Sequence, residues 1–469
     1  MTTRRAFPVL VALSVLLLAY TSYRAAVLSF TYDEGWTYAG LGRSVAELLT
    51  WHGNDVNTHP LNSVLMKVAR HLFGAHTFVY RLPNVAAHAL YLAASLALAR
   101  RARSVAAMLA GFALLNLNPF LLDFFSLARG YGLALACTLA GLWCLAEGRE
   151  TAACACLAVA TLANLAFLHG LAAVFGVCVL LALSRKRVLP LLGPALVTLG
   201  LLACVLPPMR RLQQAGQFYF GGLDSFWGDT VGSLTQTLLY RDTRSLLSAA
   251  LALLAGGVVA LLAVAARRAA KASGYRLQDT PSLVFLLVLC IPALTTTLLH
   301  AVAGSRFLLE RTALLFVPLF AVAVQEGAAA AGPRLRAILL VVFVLLLGNT
   351  VRAGNFRSTL SWRYDADVKE VVRLLTEEHR RTGRPIHLVL SWPFKFPVYY
   401  YAKVGDLSWL QPDVFEYGEK KLHYDYCYLL EGDYAFGYRM DREFLSARRA
   451  EIVRTFPVSG SYLLRGDGQ

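Results

Sequence analysis

The sequence predicts an α-helical polytopic membrane protein, with about eleven transmembrane helices and a small α/β domain at the C-terminal end. Three observations carry this. First, 57% of the 469 residues are apolar and mean hydropathy is positive, more than soluble domains of this length carry. Second, apolar runs of roughly 17 to 24 residues recur up to Arg352, long enough to cross a ~30 Å hydrocarbon core as helix. Beyond that point the apolar stretches are strand-sized. Third, charge divides at the same place: residues 1–352 hold 28 Lys/Arg against 13 Asp/Glu, and residues 353–469 hold 17 against 16. The domain organisation expected is therefore a membrane module over 1–352 and an α/β domain over 353–469.

The net charge of +16 resides in short clusters between apolar segments, not on one face as nucleic-acid binding requires, so nucleic acid is excluded as a partner. Of the eight cysteines, seven fall in or beside apolar segments and Cys427 stands alone. They read as small apolar packers, not as a disulfide or metal framework.

Spans are expected near residues 7–30, 84–99, 104–117, 130–146, 151–168, 171–184, 188–206, 245–266, 281–302, 312–324 and 335–351, with the pair at His169 readable as one broken helix. The clusters Arg4-Arg5, Arg100-Arg101-Arg103, Arg149, Arg185-Lys186-Arg187, Arg267-Arg268-Lys271-Arg276 and Arg334-Arg336 fall on one side of this alternation. The positive-inside rule makes that side cytoplasmic. Two long loops, 31–83 and 207–244, then lie outside with the C-terminal domain. The first span follows two arginines as a signal peptide would, but it lacks a small-x-small cleavage site.

The first outer loop opens with SFTYDEGWTYAGL, which puts Asp33 and Glu34 directly after a span. Adjacent acids at a membrane edge either form a site or face water. Two interfacial helices should follow, one from Trp36 to Trp51 and one after the THP at 58–60, each with an apolar stripe.

These stretches resemble a known family. YDEGWTY, NTHPLNSVLMKVARHLFG and VYRLPN, followed by FFSLARGYGLALA, ANLAFLHG and FLLERTALLFVPLF, are similar to the GT-C fold glycosyltransferases that use polyprenyl-phosphate sugars. The likeness is to the bacterial branch related to protein mannosyltransferases and lipid A aminoarabinose transferases (family 39-like), and it covers the membrane portion. It implies a multi-pass enzyme of the bacterial inner membrane. The donor would be a polyprenyl-phosphate-linked sugar, and the acceptor an envelope lipid, glycan or protein.

The chemistry needed is modest. Lipid phosphate is a stable leaving anion, so no general acid is required, in contrast to a glycosidase with its two carboxylates. One carboxylate must take the acceptor's proton and cations must hold the phosphate. Asp33 is the expected base, inverting the anomeric carbon, with Glu34 orienting it or binding acceptor. Asp123 reads either as a second acid or as a helix-end residue. Outer-side cations for the phosphate are Arg129, Arg311, Arg81 and Arg306, since a guanidinium donates two parallel hydrogen bonds; snorkelling to lipid headgroups is the alternative for each. Arg129 and Arg311 are preferred because each sits in a motif of the resemblance. His59, His169, Tyr131 and His300 are pocket candidates, against the alternative of packing side chains.

Asp33, Glu34 and Asp123 offer hard oxygen ligands, but no spacing demands a divalent metal ion. The loop at 210–245 has Gly221-Gly222 as an expected hinge, with Tyr219, Phe226 or Trp227 to stack on sugar or to sit in an aromatic belt. In the tail, DADVKEVVRLLTEEHRRTG reads as helix, PIHLVLS, YDYCYLLEG and SGSYLLRG as strands, and DREFLSARRAEIVRTF as an element between the last two. The aromatic run WPFKFPVYYYAKVG fits either sugar contact or core. A transporter or flippase for a lipid-linked saccharide, or a polymerase with a diphosphate donor, remain as other readings; the sequence has no inverted repeat of the transporter kind.

Overall fold

A computed structural model of the chain describes residues 3–51, 55–328, 333–414, 424–432, 434–435, 438–439 and 451–466. The chain groups into two compact units. One comprises Met1–Ser22, Val45–Met66 and Arg81–Gly354, the other Tyr23–Ser44, Lys67–Tyr80 and Asn355–Gln469.

In chain order the helices up to residue 353 are α1 (Thr3–Val27), α2 (Tyr32–Ala39), α3 (Val45–Leu49), α4 (Pro60–Phe73), α5 (Thr77–Arg101), α6 (Val105–Asn116), α7 (Pro119–Phe125), α8 (Gly130–Ala146) and α9 (Glu150–Ala163), then α10 (Leu168–Arg185), α11 (Leu192–Gln214), α12 (Gly232–Leu238), α13 (Leu246–Ala272), α14 (Pro281–Ala303), α15 (Glu310–Ala313), α16 (Phe316–Gly327) and α17 (Pro333–Ala353). Among the described residues seven helical stretches are long and apolar enough to cross a membrane: Thr3–Val27, Thr77–Arg101, Leu165–Arg185, Leu189–Gln214, Leu246–Ala272, Pro281–Ala303 and Arg336–Ala353. An eighth is gained if α6 and α7, bent by 57°, form one span, and α8 and α9 are shorter apolar helices. The protein is a polytopic membrane protein. Leu246, Leu253, Leu254 and Leu261 on α13 and Val344 and Leu345 on α17 stand exposed, as lipid-facing residues do.

Local chemistry explains the breaks. Pro119 follows Asn118, whose side chain accepts from the Phe120 and Leu121 amides, so α6 stops and α7 restarts with a new cap. The expected break at His169 lies earlier, at Asn164, where the Asn side chain accepts from the Ala166 amide and His169 falls inside α10. The expected helix from Trp36 to Trp51 is two helices, because Gly40–Gly42 form a 3-10 turn and Arg43 is extended; glycine has little helix propensity. α11 runs on through Pro207 and Pro208 to Gln214, so the second outer loop begins later than expected. Packing is close where side chains are small: a Cβ on Gly141 would meet Leu157 of α9 at 2.3 Å, and one on Gly111 would meet Gln325 Oε1 at 2.5 Å. Gln325 in turn donates to Leu98 O at 2.6 Å, tying α16 to α5.

The second unit contains a five-stranded sheet. Its elements are α18 (Val368–Thr382), β1 (Ile386–Leu390), α19 (Lys395–Val404), β2 (Leu410–Val414), β3 (Tyr426–Leu430), the two-residue β4 (Tyr434–Ala435) and β5 (Tyr438–Arg439), β6 (Glu451–Phe456) and β7 (Ser461–Arg465). The order is β2-β1-β3-β7-β6, with β1 parallel to β2 and β3, and β7 antiparallel to β3 and β6. Val371 and Leu375 of α18 pack with Leu388, Leu390, Phe394, Val398, Tyr428 and Leu463 in the core. Residues 451–456 of DREFLSARRAEIVRTF are strand, pairing β7; residues 441–450 lie outside the described residues. From the aromatic run, Phe394 and Tyr400 are core while Trp392 and Tyr399 are exposed.

Candidate active site

In the first unit the entry to α8 builds a cationic seat. Arg129 is the extended N-cap residue of α8, and its guanidinium is buried, with Nη1 donating to Asn57 O at 3.3 Å. The turn is held from beneath: Asn62 Nδ2 donates to Ala128 O at 2.9 Å, Asn84 Nδ2 donates to Asn62 Oδ1 at 2.8 Å, and the Leu133 amide donates to Asn84 Oδ1 at 3.2 Å. Gly130 allows the approach, since a Cβ there would lie 2.0 Å from Ala163 O and 2.9 Å from His59 Cβ.

His59, buried just before α4, packs on Tyr131 with ring centroids 5.2 Å apart at 71°. Burial, then the charges of Arg129 and Arg311, hold its imidazole well below the usual histidine pKa. Its Nε2 is buried without a hydrogen-bond partner. Neutral His59, on which both guanidiniums bear, can therefore donate one N–H beside them, an arrangement suited to an anion. Arg311 reaches it from α15, more than two hundred residues along the chain.

The segment carrying Arg311 is laced to the loop after α11. Gly222 and Phe307 exchange both backbone hydrogen bonds at 2.9 Å, Thr230 Oγ1 donates to Leu308 O at 2.8 Å, and the Glu310 amide donates to Ser233 Oγ at 2.9 Å. Glu310 has φ +46, a left-handed conformation costly for a non-glycine residue. The Arg311 guanidinium lies over Phe220 at 4.5 Å. Gly221-Gly222, expected as a hinge, is instead a pinned crossing: Gly221 has φ +147, and a Cβ there would meet Arg306 Cβ at 2.6 Å. Phe226 packs edge-on against Phe316, Trp227 lies against Gly256 of α13, and Tyr219 is exposed.

Asp123, buried on α7, accepts from Tyr240 Oη at 3.1 and 3.0 Å through its two oxygens. Tyr240 also takes a left-handed φ, +55. Asn349 and Arg352 of α17 donate to the preceding carbonyls, Leu238 O at 2.7 Å and Leu239 O at 2.6 Å, and so fix that turn.

In the second unit α2 carries the paired acids. Thr31 caps it: Thr31 Oγ1 accepts from the Glu34 amide at 3.4 Å, while Glu34 Oε2 accepts from the Thr31 amide at 2.9 Å, a capping box. Glu34 is thus part of the helix start. Asp33 is buried beside it, its carbonyl accepting from Thr37 Oγ1 at 2.9 Å. A third acid joins them: Asp365 Oδ2 accepts from the Tyr32 amide at 2.7 Å. Burial, then the charges of Asp33 and Glu34, push the Asp365 carboxyl well above the usual carboxylate range, against the lowering by the Tyr32 amide. Gly35 packs against the Phe396 backbone, 2.6 Å from where its Cβ would be, seating α2 on α19.

The structure thus gathers Arg129, Arg311, His59 and Tyr131 in one unit, and Asp33 and Glu34 with Asp365 in the other. Arg306 is exposed and donates to Gly221 O at 3.4 Å; His300 stacks on Phe307 and lies 2.8 Å from Ser305 O. Both shape the 304–307 turn. His169 has Nδ1 3.5 Å from Thr295 Oγ1, and Arg81 is buried in α5. Among the described residues no group of three or more His, Cys, Asp or Glu is placed to hold a metal ion. Sequence reasoning missed Asn57, Asn62, Asn84, Tyr240 and Asp365. Asn62 and Asn84 could have been suspected as polar residues inside helices with apolar faces, whereas Asn57, in the loop before α4, and Tyr240 and Asp365 carried no such signal.

The crystal structure of ArnT from Cupriavidus metallidurans in the apo state is similar over 98% of this chain and 97% of that one, with a TM-score of 0.54 and 12% identity. The chain has an ArnT-like fold. ArnT from the same organism bound to undecaprenyl phosphate matches over 97% of each chain, with a TM-score of 0.50 and 12% identity. No family model matches the sequence, and no curated protein does. The ArnT-like fold is the GT-C architecture expected from the sequence, a many-helix membrane module with a small C-terminal sheet.

Proposed function

We propose that the chain is a membrane glycosyltransferase that moves a sugar from a polyprenyl-phosphate donor to an envelope acceptor on the extracytoplasmic face. The observation that carries this is the seat of Arg129, Arg311 and neutral His59 in a chain whose fold is shared with an ArnT crystallised with undecaprenyl phosphate. A polyprenyl monophosphate is an anion on a lipid tail, and a seat of one buried and one half-buried arginine in a membrane helix bundle suits such a ligand.

The reaction follows from the donor. Asp33 takes the proton of the acceptor's nucleophilic group as that atom attacks the anomeric carbon from the face opposite the phosphate. The bond from the anomeric carbon to the phosphate oxygen breaks, the configuration inverts, and its electron pair leaves with the lipid phosphate. Arg129 and Arg311 neutralise the charge that accumulates on the phosphate, the term that most lowers such a barrier. Asp123, fixed by Tyr240, is a second acid for orienting the acceptor. The C-terminal domain lies on the extracytoplasmic side with the first outer loop.

Mass spectrometry of envelope lipids and glycans from cells carrying the wild-type or the Asp33→Asn chain tests the reading. One glycosylated species should disappear with Asp33→Asn and its unmodified acceptor should accumulate; identical envelopes would refute it.

A further inference from the structure

Asp365 stands just before α18, in the 3-10 turn Arg363–Asp365, and is 1% exposed. Its Oδ2 holds the first amide of α2, while its Oδ1 is buried and has no hydrogen-bond partner. An ionised carboxylate with a bare buried oxygen is a costly arrangement. The charges that bear on it make it costlier: Asp33 and Glu34 on α2 repel it, and on β3 the Tyr428 hydroxyl is pushed up first by burial and then by Asp367 and Asp365. Asp367, two residues on, is already engaged by the Ser459 amide at 3.2 Å and by Arg357 at 4.0 Å. Ionised Asp33 and Glu34 are acceptors only, so an acid proton on Oδ1 turns a repelled acceptor into a donor among acceptors.

We propose that Asp365 is a positioning residue for the α2 acids: it carries a proton on Oδ1, holds the Tyr32 amide with Oδ2, and keeps a third negative charge away from Asp33. The kinetic consequence rests on the transferase reading above; the protonation itself does not. At working pH the neutral carboxyl steadies the first turn of α2. On ionisation, the added charge disturbs both that turn and the Asp33 base.

The test uses full-length protein in detergent with Asp365→Asn, which keeps a carbonyl for Tyr32 and a donor in place of the acid proton, and Asp365→Ala, which keeps neither. The first measurement is apparent melting temperature against pH. A carboxyl whose pKa is raised in the folded state binds a proton the unfolded chain has released, so stability falls as pH rises from about 4 toward the folded pKa. The wild type should therefore lose stability relative to Asp365→Asn across that window. A difference that stays constant with pH overturns the proposal whatever the protein's activity. The second measurement is sugar-transfer turnover against pH. Asp365→Ala should lower kcat at least tenfold with the donor KM little changed, Asp365→Asn should rescue most of it, and the wild type's alkaline decline should be absent from Asp365→Asn. Asp365→Asn as defective as Asp365→Ala, with the alkaline decline intact, overturns the positioning role. Loss of transfer in no variant, Asp33→Asn included, would instead sink the transferase reading and leave the melting result standing.

Discussion

Gly130→Ala is the substitution whose effect follows most directly from geometry. The new Cβ would lie 2.0 Å from Ala163 O and 2.9 Å from His59 Cβ and Cγ. Carbon and carbonyl oxygen rarely approach closer than about 3.3 Å, so one side must move by more than an ångström. Ala163 O belongs to the last turn of α9 and cannot rotate away as a side-chain tip can. The displacement must fall on α9, on the Arg129 turn that Asn62 and Asn84 hold, or on His59. Overpacking of this kind costs about 1–3 kcal/mol, and a ~1 Å shift of positioned groups costs on the order of a hundredfold in rate. We expect Gly130→Ala to weaken undecaprenyl phosphate binding by about 5- to 150-fold, the same energy read as an equilibrium constant, with a lower melting temperature. Gly257→Ala is the control: nothing lies within 4 Å of its Cβ position on α13, and alanine is the better helix former. Binding by titration of purified protein in detergent, alongside thermal unfolding, reads both. Gly130→Ala binding within twofold of wild type would refute the seat as drawn.

Two further outcomes follow. Tyr240→Phe removes the one O–H that the two Asp123 oxygens share; a hydrogen bond to a buried charge is worth about 1.5–3 kcal/mol, so the melting temperature should drop and turnover should fall roughly 10- to 100-fold, and unchanged turnover would remove Asp123 from the site. His59 should gain a proton more readily when a phosphate sits between it and the arginines, because the anion offsets the charges and burial that depress its pKa. A pKa raised by binding favours binding as pH falls. Since the ligand's own second ionisation near ~6 acts in the opposite sense, the readout is the ratio of wild-type to His59→Asn affinity, which should rise from pH 8 to pH 5.5; a flat ratio would place the phosphate elsewhere.

Much of the fold was legible because hydropathy is a long-range signal: each apolar run from 7–30 to 335–351 falls mostly on helix, though 151–168 breaks at Asn164 and 312–324 is divided between α15 and α16. What blurred was punctuation. Asn164, just past α9, starts a new turn by a side-chain cap that hydropathy does not register, Gly40–Gly42 split an otherwise apolar stripe, and α11 continues through two prolines. Residues 451–456 became strand because β7 offered a partner, a tertiary influence that local propensity lacks. In the site, Arg129 and Arg311 stood out in advance because each sits in a motif of the family resemblance, FFSLARGYGLALA and FLLERTALLFVPLF. Their meeting at His59 could not, because it depends on a glycine and a strained Glu310 that place distant segments together. Glu34 looked like half of an acid pair, yet the spacing from Thr31 was that of a capping box, a signal the sequence carried and the pairing of acids obscured. Asp365 looked like an ordinary polar lead-in to a helix, and only burial reveals it as a member of the α2 cluster.

The central claim is that Asp33 takes the acceptor's proton while two arginines hold the prenyl phosphate. Purified wild-type and Asp33→Asn protein, compared for undecaprenyl phosphate affinity and for single-turnover sugar transfer, test it together. The account predicts affinity within about threefold of wild type, and turnover lower by about 10²- to 10⁴-fold, the usual worth of a general base. Near-wild-type turnover in Asp33→Asn, or affinity and turnover lost in equal measure, would contradict it.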